Sequence, residues 1–388
     1  MKKLTGRYCA TQFTFWAASS GAASFATTFL LGRGVSSALV GTLLAAAGLL
    51  SCATQPVLAS LADRSRKSVL PSMLIEISTL CGLCFAVQLI PGLPLQAAAL
   101  FYIAGIWCSD SMVPLLNALS VSYTQAGYPI DYGVGRGIGS VGTALSSLAL
   151  GYIIAQLGTV WMILFILFFR AINMVIVAGY PKIEKLGSTE AEKAESCSIW
   201  EFFARYRWYC ASLLGILFLG MFHAMTENYL IAIMERLGGN SSHVGTALFI
   251  SAMAGFPVIF GINAVRKYLR DTQLLKIAAV SFLIKAVLFY FAPNITTVYL
   301  LQLLQMTSYA FLAPAQVYYA NGKIRQTDMV KGQAFITAAY ALGCSCGNFA
   351  GGQLLPLGVN AMLAAGILMA LAGTVVIFLT VNQDAVAE

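Results

Sequence analysis

The chain has 388 residues, 59% of them hydrophobic and 10% charged, with a mean hydropathy of +0.79. A soluble protein of this length carries about a quarter charged residues, so the composition excludes one. The net charge of +8 would suit a nucleic-acid partner, but the cations sit at the ends of and between apolar segments, as membrane topology would place them, which argues against it.

Between Tyr8 and Leu379 the apolar residues fall into twelve segments, each long enough to cross a bilayer as a helix. The predicted spans are 8–31, 38–61, 69–90, 97–120, 136–156, 161–179, 209–234, 244–264, 275–292, 297–321, 333–356 and 359–380. The fold class expected is an all-α membrane protein of two six-helix bundles. Lys2, Lys3 and Arg7 precede the first span, and no A-x-A-like cleavage site follows it, so it reads as an uncleaved helix. With the N-terminus inside, nineteen of the 23 Lys and Arg residues fall on the cytoplasmic side. Only Arg33 and Arg236 fall opposite, and Arg170 and Lys285 lie within spans, so both termini are expected in the cytoplasm.

The longest polar stretch, 181–208, mixes acids, bases and small residues and reads as a linker between halves 1–180 and 209–388. The halves echo each other. Ser36-Ser37-Ala38-Leu39-Val40-Gly41-Thr42 opens span 2, and Ser241-Ser242-His243-Val244-Gly245-Thr246 opens span 8. Ala144-Leu145 and Gln156-Leu157 return as Ala341-Leu342 and Gln353-Leu354 at a constant offset of 197. Weak internal repetition of this kind belongs to secondary transporters, whose solute site lies near the midplane between halves.

The nine cysteines lie mostly in apolar spans and read as buried thiols, and the two histidines, His223 and His243, cannot complete a metal site with them. No phosphate-binding G-x-x-x-x-G-K-[ST] loop is present. Neither cofactor nor metal is expected, and energy must come from a gradient.

Span 4 carries Trp107, Asp110, Pro114 and Asn117 at helical spacing. A ring beside a carboxylate and an amide suits a sugar-like solute; the plain alternative is a polar seam against another helix. Span 7 places His223 and Glu227 four residues apart, with Asn228 adjoining, and Lys285 lies near the middle of span 9. A charge at that depth needs a partner or a wet cavity. Glu227 is a candidate proton carrier with His223 beside it, and a Glu227–Lys285 pair is expected, either as coupling machinery or as a static ion pair. Glu76 and Arg170 are the corresponding pair expected in the N-terminal half. Span 10 adds Gln302, Gln305 and Tyr309 on one face, and span 1 adds Gln12 and Trp16.

The loop after span 2, Ala59-Ser60-Leu61-Ala62-Asp63-Arg64-Ser65-Arg66-Lys67, resembles the G-x-x-x-D-[RK]-x-G-[RK]-[RK] loop of the major facilitator superfamily, with Ala59 at the first Gly and the tail one residue short. The resemblance implies a gating latch at Asp63 and Arg64; a solvated basic loop is the alternative. Gln55-Pro56, together with Tyr132-Gly133-Val134-Gly135-Arg136-Gly137-Ile138-Gly139-Ser140 leading into span 5, is similar to the oligosaccharide/proton symporter (lactose permease-like) branch. That branch's galactoside-holding arginine falls on Arg136, whose guanidinium can offer several fixed donors to a polyol. Its partner carboxylate falls on Asn117, its sugar-stacking Trp on Thr143, its span-10 Lys, His and Glu on Gln302, Gln305 and Ser308, and its span-9 arginine on Lys285. The scaffold matches while the galactoside and proton machinery is rewritten.

The resemblance implies a monomeric, multi-pass plasma-membrane protein of the bacterial inner-membrane kind. Its expected function is proton-coupled uptake of a small polar organic solute, a glycoside, oligosaccharide or nucleoside. Its partners are then the solute, protons and the lipid bilayer. The alternatives are proton-antiport efflux of drugs or metabolites and a non-transporting sensor on the same fold. No catalytic constellation can be assembled, so an enzyme is not expected.

Overall fold

A computed structural model describes residues 4–64, 69–183 and 198–382, and every regular element among them is helical. By internal contacts the chain divides into two compact units, one of residues 1–189 with 239–252 and one of 190–238 with 253–388.

The first unit is built from α1 (Thr5–Ser24), α2 (Ala26–Gly32), α3 (Ser37–Arg64), α4 (Leu70–Ala86), α5 (Leu95–Ser111), α6 (Val113–Gln125), α7 (Tyr132–Leu157) and α8 (Thr159–Ala178). The expected fourth span is therefore two helices, α5 and α6, parted at Met112. Proline explains the break. Pro114 has no N–H to give the carbonyl of Asp110 four residues back, and Gln55 of α3 supplies a donor instead, its Nε2 lying 3.1 Å from that oxygen. The first span is likewise parted at Phe25. α7 approaches α1 along its glycines: a Cβ at Gly142 would stand 2.7 Å from the carbonyl oxygen of Phe13.

The second unit holds α9 (Ile199–Arg205), α10 (Arg207–Asn228), α11 (Leu230–Arg236), α12 (Ser241–Val265, whose first half counts with the other unit), α13 (Asp271–Tyr290), α14 (Ile295–Gln302), α15 (Tyr309–Lys323), α16 (Met329–Leu354) and α17 (Val359–Thr380). Within the stretch read as a linker, 199–205 is a helix closed by a capping box, Ser198 accepting from Glu201 N and Glu201 from Ser198 N; residues 184–197 lie outside the described residues. α10 packs against α16 and α17. At Gly343 and Gly347 any Cβ would collide with the carbonyl oxygens of Leu217 and Met221, so glycine sets how closely α10 and α16 approach.

Below this core the Asp328 side chain is buried, 1% exposed, and accepts a hydrogen bond from Tyr206 OH at 3.0 Å, with Arg205 Nη1 at 3.5 Å. Asp328→Ala would leave the buried Tyr206 hydroxyl without its acceptor. A loss of about 2–3 kcal/mol is expected in thermal unfolding, and less for Asp328→Asn, which keeps an acceptor.

Nine segments among the described residues are long and apolar enough to cross a membrane: 37–62, 70–89, 95–125, 132–157, 159–178, 207–228, 271–290, 295–323 and 359–380. The other three expected spans are also helical, as α1 with α2, α12 and α16. α1 and α16 are more polar because they bury hydrogen-bonding groups, Thr11, Gln12, Thr14, Ser19 and Ser20 on one and Ser345 and Asn348 on the other. All eight cysteines among the described residues are free thiols.

Candidate functional site

The second unit gathers most of the charged and hydrogen-bonding residues singled out from its sequence. α10 places His223 and Glu227 one turn apart, and α13 brings Lys285 against them. Lys285 is fully buried, and its Nζ lies 3.0 Å from Glu227 Oε1 and 3.2 Å from Gln305 Oε1. The expected pair is thus formed, with the Glu227 side chain 15% exposed. Residues 303–306 are a 3₁₀ turn between α14 and α15. Side chains three apart eclipse in such a turn, which aligns Gln302 and Gln305 toward the same pair, Gln302 lying beside the Glu227 carboxylate.

Tyr309, the first residue of α15, lays its ring flat on His223, with centroids 5.1 Å apart and planes at 6°. Phe282 meets the imidazole edge-on at 5.8 Å, and Tyr340 of α16 completes the ring cluster. Three buried polar atoms of this wall, His223 Nδ1, Gln302 Oε1 and the Tyr340 hydroxyl oxygen, have no hydrogen-bond partner among the described residues. Asn228 is diverted: its Nδ2 donates to Asn348 Oδ1 at 2.6 Å, which ties α10 to α16.

In the first unit Arg136, half-buried on α7, lies over the Trp16 ring with Cζ 4.4 Å from its centroid. Trp16 Nε1 donates to Gln12 Oε1 at 2.9 Å, and Gln12 Nε2 donates to Tyr8 OH at 2.6 Å. One helix face thereby fixes the ring on which the guanidinium rests. Trp107 Nε1 donates to Thr54 Oγ1 at 3.0 Å, and the Asp110 carbonyl is held by Gln55. The Asp110 carboxylate itself, half-buried, has no hydrogen bond or ion pair among the described residues. The break at Met112 takes Asn117 onto a second helix, where its buried Oδ1 has no hydrogen-bond partner among the described residues. The Thr143 hydroxyl turns back to Gly139 O at 3.4 Å in its own helix.

The expected Glu76–Arg170 pair is not formed. Glu76 is exposed, whereas Arg170 is 1% exposed and donates from Nη2 to Ser109 Oγ at 2.6 Å and Ser19 Oγ at 3.1 Å. Its Nε and Nη1 have no hydrogen-bond partner among the described residues, and Phe15 covers the guanidinium at 5.4 Å. Asp63 and Arg64 end α3; their side chains, and residues 65–68, lie outside the described residues. Tyr340, Asn348 and Thr54 were not singled out from the sequence. The four-residue spacing of Gly343 and Gly347, which lets α16 approach α10, is the sequence signal that lies nearest the first two.

The chain belongs to the MFS_1 like family, whose profile matches residues 6–363. This places it in the major facilitator superfamily, as the loop after α3 implied. No curated protein matches it. Among solved structures, a mutant form of the nucleoside transporter NupG superposes with a TM-score of 0.80 at 13% identity, covering 97% of this chain and 98% of that one. A POT family transporter in complex with a thioalcohol-conjugated peptide gives 0.73 at 13% identity, with 98% and 96% covered. A D-xylose-proton symporter gives 0.66 at 14%, with 95% and 96% covered. At such identities the likeness is one of fold.

Proposed function

We propose that this protein is a secondary transporter that takes up a small polar organic solute, a glycoside, oligosaccharide or nucleoside, together with a proton. It crosses the plasma membrane twelve times with both termini cytoplasmic, works as a monomer by alternating access, and draws on the proton gradient without a cofactor. The observation that carries this reading is the Glu227–Lys285–Gln305 network. A carboxylate held beside a buried ammonium, with one edge still accessible, can exchange a proton while the cation stays compensated through the neighbouring amides. In this reading Arg136 on Trp16, Asp110, Asn117, Gln302 and Tyr309 meet the solute, His223 tunes Glu227, Asn228 and Trp107 tie helices together, and Thr143 bonds within its own helix. The fold shared with a nucleoside transporter and a xylose–proton symporter supports placing nucleosides and sugars among the candidates.

The test is solute-induced alkalinisation of lightly buffered, de-energised cells across a panel of oligosaccharides, glycosides and nucleosides. Alkalinisation with one class is expected, abolished in Glu227→Gln. The double variant Glu227→Gln/Lys285→Met, which leaves no charge stranded, is expected to keep downhill solute exchange without proton movement. No pH change with any solute at confirmed surface expression counts against coupled uptake and favours efflux.

A further inference from the structure

Beside the Glu227–Lys285 pair, the second unit gathers rings and polar atoms that its own packing does not satisfy. His223, Tyr309 and Tyr340 come from three helices, α10, α15 and α16. The Tyr340 ring stands 5.9 Å from Tyr309 at 40° and 6.3 Å from His223 at 41°, so the three do not close into one stack. All three residues are half-buried. An aromatic cluster that served the core alone would be fully covered, with its polar atoms bonded. Here His223 Nδ1 and Gln302 Oε1 are buried with no hydrogen-bond partner among the described residues, and Gln302 is only 1% exposed. Buried polar atoms left so are costly, and a bound solute that reaches them offsets that cost.

The chemistry of these groups is selective. The two charges of the wall, Glu227 and Lys285, are engaged with each other. The uncommitted atoms are neutral: an amide oxygen that only accepts, and an imidazole nitrogen that accepts or donates according to its tautomer. An acceptor beside a group able to donate matches the edge of a heteroaromatic base, where an N–H stands next to a ring nitrogen or carbonyl. The flat face of such a base matches the tyrosine rings. A saccharide is ringed by hydroxyls instead and is best held by several fixed charged donors such as those of a guanidinium, which this wall lacks. We propose that the wall is a base-recognition site and that the solute is a nucleoside. Its base packs on Tyr309 and Tyr340 and bonds through its edge to Gln302 Oε1 and His223 Nδ1. This rests on the uptake reading above and narrows its solute to one class.

The test measures binding to the purified full-length chain in detergent, which needs no proton gradient. The probes are aminopurine riboside, a fluorescent isomer of adenosine quenched when its base stacks on a ring, and adenosine, uridine, ribose and lactose as competitors. Quenching is expected on binding, with ribose and lactose competing about tenfold more weakly than adenosine, or worse. Tyr309→Leu and Tyr340→Leu should each weaken binding about tenfold and reduce the quenching. Tyr340→Phe, which retains the ring, should retain the quenching. Gln302→Leu should weaken binding by a similar factor while the bound probe stays quenched, which separates the edge of the base from its face. Size-exclusion profiles and thermal unfolding report whether the variants fold. The proposal is overturned if no nucleoside binds, if lactose or ribose competes as well as adenosine, or if the folded Tyr309→Leu/Tyr340→Leu variant binds the probe undiminished. The two readings also fail separately. Nucleoside binding as expected without solute-induced alkalinisation upholds the site and removes coupled uptake, whereas alkalinisation with lactose alone upholds coupled uptake and removes the site.

Discussion

Lys285→Met is expected to destabilise the second unit by about 3–5 kcal/mol, read as a fall in the thermal unfolding temperature of the purified protein. The substitution nearly preserves volume, so packing changes little. What changes is that Glu227, 3.0 Å from a fully buried ammonium, loses the cation that compensates it, and Gln305 loses its donor. The second substitution isolates this cause. Lys285→Met/Glu227→Gln removes both charges and is expected to regain most of the loss, because a buried ion pair replaced as a whole is often close to neutral. If the double variant unfolds as early as the single one, the stranded carboxylate is not the reason. That result would turn attention to the seat of the Lys285 stem among Phe282, Ala286 and Phe289, all fully buried.

Gly347→Val is expected to cost about 3 kcal/mol or more, at the upper end for overpacking. The added Cβ would meet the backbone carbonyl of Met221, which cannot rotate away as a side chain would. α16 must then move off α10, and the next residue, Asn348, loses its bonds to Asn228 and to the Tyr229 hydroxyl. The control lies in the same unit. A Cβ at Gly261 of α12 would meet nothing within 4 Å, so Gly261→Ala should be neutral or stabilise by about 1 kcal/mol through helix propensity. Thermal unfolding of the two variants side by side decides the matter; equal effects would mean that the α10–α16 contact is not limiting.

Helix positions were legible in the sequence because apolar length is a strong signal and nothing competes with it inside a bilayer. The interruptions were less legible. Pro114 gave a warning, yet it took Gln55 to show how the freed carbonyl is satisfied, and the 3₁₀ turn at 303–306 has no proline or glycine to announce it. The Glu227–Lys285 pair could be read because two intramembrane charges of opposite sign must find each other. The same reasoning misled for Glu76 and Arg170. Sequence does not show that Glu76 points outward, nor that serines from α1 and α5 hold Arg170 where a carboxylate was expected. Arg136 was legible, but as a donor to solute; its rest on Trp16 depends on the close approach of α1 and α7 along glycines.

The glycine-seated contact of α10 and α16 also has a mechanical meaning. With carbonyls of one helix set against Cα atoms of the other at two successive turns, the two can neither slide nor roll independently and behave as one stiff beam. That beam bears His223 and Glu227 on one member and Tyr340 and Asn348 on the other. The bearer of Gln302 and Gln305 is built differently: the joint between α14 and α15 has poorer 3₁₀ hydrogen bonds and an irregular Ser308. Compliance in the second unit is therefore concentrated on the side of the amides, so the carboxylate stays fixed while the groups that bond to its lysine are free to yield.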